Sequence, residues 1–82
     1  MRTIEDVRTF AFPINIEEDK DGFFAECIIL PGCVTQGDTY EEAVHNIKEA
    51  IHLYVQTLED DGLEIPQLAV IPAGLQTVEI SV

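Results

Sequence analysis

Phe10, Phe12, Ile14 and Ile16 alternate with Thr9, Ala11, Pro13 and Asn15, the two-residue period of a strand with one buried face. Pro13 has no amide hydrogen to give to a ladder, which predicts a sheet edge for this strand, or a donor-free side turned to solvent. The polar run Glu17-Glu18-Asp19-Lys20-Asp21-Gly22 predicts a tight turn, so a hairpin follows. The return strand is expected over residues 23–30, Phe-Phe-Ala-Glu-Cys-Ile-Ile-Leu, and is apolar on both faces. Part of its outer face is therefore expected to be covered by another chain. Pro31 and Gly32 break the run, residues 33–36 form a short third strand, and Gly37 turns the chain again.

The period then changes from two to 3.6. Thr39 stands three residues before Glu42, the spacing of a capping box, in which the threonine oxygen takes the N3 amide and the glutamate reaches back to the N-cap amide. From Tyr40 to about Asp60, at 100° per residue, Ala43, Ile47, Ala50, Ile51, Tyr54 and Leu58 fall on one stripe. Leu53 and Val55 flank that stripe and are expected at a self-association surface. Asp61-Gly62 ends the helix, Pro66 and Pro72 mark an extended connector, and Val78, Ile80 and Val82 alternate with polar residues in a last strand. The predicted order is β-β-β-α-β. It defines an α+β fold, an antiparallel sheet with one helix packed on it, forming a single domain over residues 1–82.

Charge narrows the function. Sixteen Asp and Glu against four Lys and Arg give a net charge of -12, a field that repels phosphate backbones and attracts cationic partners. Direct nucleic-acid binding is not expected. No apolar run approaches the roughly 18 residues of a membrane span, and the start, Met-Arg-Thr-Ile-Glu-Asp, lacks a signal peptide's apolar stretch. A cytoplasmic protein without membrane contact is expected, and in that compartment Cys27 and Cys33 read as reduced, small buried hydrophobes.

Candidate chemistry is sparse. His45, Glu49 and His52 share one helix face, where two imidazoles and a carboxylate have metal-ligand spacing. That face lies almost opposite the apolar stripe, in solvent, where polar residues are expected with no ligand. Asp19 and Asp21, with Glu17 and Glu18, crowd the hairpin turn without the calcium-loop spacing, and an exposed turn cannot pull two carboxyl pKa values apart for acid–base work. Cys33 has no histidine on its own side of the sheet, and Gly32 and Gly37 are not followed by the lysine of a phosphate-binding loop. No catalytic, cofactor or metal residue is assigned. Two alternatives stand beside a binding role: a small metal-dependent enzyme using His45, Glu49, His52 or Cys33, and a stand-alone oligomeric regulatory protein.

The passage from Leu30 to Val55, Leu-Pro-Gly-Cys-Val-Thr-Gln-Gly-Asp-Thr-Tyr-Glu-Glu-Ala-Val-His-Asn and onward, follows Asp-Lys-Asp-Gly-Phe-Phe-Ala-Glu and precedes Asp-Asp-Gly-Leu-Glu-Ile-Pro. In that order of motifs, over about residues 8 to 66, the chain resembles the HicB-like antitoxins of type II toxin-antitoxin systems. The resemblance implies a partial RNase H-like fold that forms dimers or higher oligomers, a tetramer among them. It also implies a HicA-like toxin as partner: a small basic protein that cleaves mRNA and whose surface the antitoxin covers. Full-length members carry a C-terminal DNA-binding domain, whereas this sequence reaches Val82 just after its last predicted strand with no basic recognition element, so no such domain is expected. Asp19, Asp21 and Glu26, near the hairpin and the sheet, are the candidate partner contacts, and no nuclease residues are carried over.

Overall fold

The computed structural model describes residues 9–68, 70 and 73–81. Strands β1 (Thr9–Asp19), β2 (Gly22–Cys27) and β3 (Val34–Gly37) precede helix α1 (Tyr40–Asp60), and β4 (Gln76–Ser81) closes the fold. This is the predicted β-β-β-α-β order, and every pairing in the sheet is antiparallel.

The sheet order is β3-β2-β1-β4, which corrects the expectation drawn from Pro13. β1 lies inside the sheet, paired with β2 on one side and β4 on the other. The proline is tolerated there because β1–β2 pairing begins only at Ile14↔Cys27. The Pro13 carbonyl accepts the Ile28 amide at 3.4 Å, so the hydrogen-bonding side of this residue faces the point where β2 leaves the sheet. On the other side, opposite Thr77, it occupies a non-hydrogen-bonded pair, where no donor is needed.

The return strand is shorter than its apolar run. β2 ends at Cys27 because Pro31 and Gly32 must be reached through a turn: the Leu30 amide bonds back to the Cys27 carbonyl at 3.2 Å and the Cys33 amide to the Leu30 carbonyl at 3.0 Å. Leu30 and Cys33 drop into the core from this loop. On the inner face of the sheet Phe10, Phe12, Ile14, Ala25, Cys27, Val78 and Ile80 are buried, as the alternation predicts. Val82 and Pro72 lie outside the described residues.

Helix α1 begins as read. The Glu42 amide donates to the Thr39 hydroxyl at 3.1 Å, but the Glu42 carboxylate takes the amide of Asp38, one residue before the expected N-cap amide. At the other end the Leu63 amide bonds to the Leu58 carbonyl and the Gly62 amide to the Glu59 carbonyl, the paired closure that needs a residue with positive φ at Gly62 (70°).

The buried helix residues are Ala43, Ile47, Ile51 and Val55, with Ala50, Tyr54 and Leu58 partly covered. Val55 is therefore core and is not available for self-association. The physical reason is that these four positions form one i, i+4 row, and such rows run obliquely to the helix axis. Over little more than three turns, from Ala43 to Val55, the row drifts away from Ala50, as packing on a twisted sheet allows. The helix packs on β3 and β2 and, less extensively, on β4.

Candidate functional site

Helix α1 covers one face of the sheet, and on the other face the described residues are exposed or half-buried, apart from the fully buried Pro13. Alternation and register assign the residues of this other face: Thr9, Ala11, Pro13, Asn15, Glu17 and Asp19 from β1, Phe24 and Glu26 from β2, Val34 and Gln36 from β3, Thr77, Glu79 and Ser81 from β4. Ile28 continues the register one step beyond β2 through its bond to Pro13.

The β2–β3 half of this face mixes apolar and acidic side chains. Val34 is 48% exposed and Ile28 47% exposed, Phe24 is half-buried opposite Gln36, and Glu26, opposite Val34, stands between Phe24 and Ile28 along β2. Glu17, paired with Phe24, and Asp19 stand beside these apolar residues, Glu79 lies on the far side of β1 opposite Ala11, and among the described residues this face carries no Lys or Arg. Asn15 donates to the Glu17 carboxylate at 3.2 Å, and the register sets it directly opposite Glu26. Such a surface suits a partner that brings both cations and an apolar contact.

Of the three residues singled out from sequence, Glu26 lies within this face, half-buried beside Val34. Asp19 is on the same face at the hairpin end of β1, and Asp21 sits beyond it in the turn, its amide donating to the Asp19 carboxylate at 2.8 Å. Asp21 and Glu26 are thus not brought together. Sequence reasoning missed Val34, Ile28 and Glu79; the apolar outer positions of β2 were the signal available for this face, and Glu79 joins it only through sheet pairing.

The helix face behind the core is different in kind. His45 Nε2 meets Glu49 Oε1 at 2.6 Å, both side chains mostly exposed, with Lys48, His52 and Leu53 beside them. Among the described residues no group of three His, Cys, Asp or Glu is placed to hold a metal. Cys27 and Cys33 are buried in the core. Burial, then the charge of Cys27, pushes the Cys33 thiol up to about 11, and burial also raises Cys27, so neither is poised as a nucleophile. Among the described residues no helix is long and apolar enough to cross a membrane.

A four-stranded antiparallel sheet backed by a single helix defines an α+β fold shared with antitoxin domains. The N-terminal domain of the Burkholderia pseudomallei antitoxin HicB superposes with a TM-score of 0.70 at 26% identity, over 89% of this chain and 98% of that one. A longer form of the same antitoxin aligns with a TM-score of 0.69, and the chain spans 63% of its length. A chain from a HicA3 and HicB3 toxin-antitoxin complex shares the fold, with a TM-score of 0.63 at 21% identity. Residues 12–81 match the family described as the HicB-like antitoxin of bacterial toxin-antitoxin systems, and the chain belongs to that family. Relatives include a UPF0150 protein of Helicobacter pylori, 58% identical over 48 residues (58% of this chain, 67% of the relative). Another, from Synechocystis, is 38% identical over 66 residues, covering 79% and 84% respectively.

Proposed function

We propose that the chain acts as an antitoxin without catalytic activity of its own, binding a basic, HicA-like, mRNA-cleaving toxin and masking its RNA-binding surface. The observation that carries this reading is the outer sheet face: exposed Ile28 and Val34 and half-buried Phe24 interleaved with the carboxylates of Glu17 and Glu26, with no Lys or Arg among the described residues of that face. A cationic partner gains from the carboxylates during encounter and from the apolar side chains once docked. A second copy of this chain presenting the same face would set carboxylate against carboxylate. In this reading self-association, as a dimer or tetramer, uses the helix side, and the exposure of Leu53 (63%) among residues of both charges supports it. Asp19 and Glu26 are toxin contacts in the same reading, with Asp21 at their margin.

The test is inhibition of RNA cleavage by a purified HicA-like toxin. Stoichiometric protein abolishes cleavage, and Val34→Asp, at an exposed position, weakens binding by about tenfold or more. Leu53→Asp on the opposite side leaves inhibition intact. Cleavage that continues undiminished with the wild-type protein in excess refutes the proposal.

A further inference from the structure

We propose that Cys27 and Cys33 form a reversible modification site, a thiol pair that a small organic disulfide converts to an intramolecular Cys27–Cys33 bond. The register of the β2–β3 ladder runs from Phe23↔Gly37 to Glu26↔Val34, and one further step sets Cys27 opposite Cys33. One bond of that step is made, the Cys27 amide donating to the Cys33 carbonyl at 2.9 Å, while the Cys33 amide turns to the Leu30 carbonyl. Residues directly opposed in an antiparallel pair have Cα atoms about 4.5–5.5 Å apart, inside the roughly 4.4–6.8 Å span that a disulfide bridges. Both side chains belong to the same core cluster, so they lie on one face of the sheet. Cys33 also senses Cys27, whose charge contributes, after burial, to holding Cys33 in its protonated form.

The pair closes the root of the loop 28–32, in which Pro31 and Gly32 are exposed. Reaction therefore requires only the end of the ladder to open, a local event well below global unfolding. One cysteine, as thiolate, attacks a sulfur of the small disulfide RSSR and displaces RS⁻. The second cysteine, as thiolate, attacks the protein-bound sulfur and displaces the other RS⁻. The two protons released by the protein thiols end on two RSH, and the two electrons given up by the protein reduce RSSR. Cytosolic disulfides are usually transient and sensing rather than structural, and a pair held reduced by burial until the loop opens has that character. The site is independent of the docking face.

The full chain is incubated under native conditions with oxidised glutathione, then denatured, treated with a maleimide and weighed. The expected product is lighter by about 2 Da, takes no maleimide, and regains two reactive thiols with dithiothreitol. Its melting midpoint is higher than that of the reduced form. Cys27→Ala and Cys33→Ala stop at the singly glutathionylated species; if either fails to fold, the wild-type mass decides alone. Wild-type protein that keeps both maleimide sites, stops at glutathione adducts, or links two copies overturns the proposal.

Discussion

Gly37 and Ala43 meet backbone to backbone: a methyl group on Gly37 would stand 2.5 Å from the Ala43 amide nitrogen and 2.9 Å from its Cα. The first turn of α1 therefore rests directly on the last residue of β3, and the loop between them is a joint with no room for a side chain. Gly37→Ala is expected to cost about 1–3 kcal/mol or more, because neither backbone segment can yield, and a fall in the urea midpoint measures it.

Thr39 holds the same joint from the other side through its bond to the Glu42 amide. Thr39→Ala is expected to lose about 1 kcal/mol, whereas Thr39→Ser, which keeps the hydroxyl, loses little. Equal losses in the two variants, by thermal or chemical denaturation, would show that the cap is not what Thr39 contributes.

Asn46 Nδ2 donates to the Gln36 carbonyl at 2.8 Å, on the open side of β3. Asn46→Ala returns that carbonyl to water, at a net cost of about 0.5–1.5 kcal/mol. Faster amide hydrogen exchange in β3 than in β1 is the expected signature, since β3 is the edge strand and β1 the interior one.

The Cys33 thiol lies at about 11, above its ordinary 9.0, so the unfolded chain releases this proton at lower pH than the folded one. Its contribution to stability is complete below pH 9 and declines as pH rises towards 11. Denaturation midpoints across that window are expected to fall, and to fall less steeply in Cys33→Ala.

Toxin association is expected to slow as salt is raised, because the carboxylates act mainly on the encounter. Glu17→Gln combined with Glu26→Gln should lower the association rate and flatten its salt dependence in stopped-flow measurements, leaving dissociation largely unchanged. A change confined to dissociation would place these residues inside the docked contact.

Much of this was legible locally. The period of two in Phe10 to Ile16, the 3.6 period of α1, the Thr39 cap and the Gly62 stop depend on residues within a few positions of one another, and each stands where its pattern predicts. Pro13 misled because a missing donor reveals nothing about which neighbour occupies that side. Val55 misled because a fixed angular stripe ignores the oblique run of an i, i+4 row across a twisted sheet.

Sequence alone thus determined the elements, their order, the acidity and the family resemblance, because each is written in short-range spacing or in composition. Tertiary structure decided which strand lies inside the sheet, that Cys27 stands beside Cys33, and that Glu17 and Glu26 share an outer face with Phe24, Ile28 and Val34. Those relationships arise from strand pairing between residues far apart in the chain, and a local period carries no information about its partner across the sheet.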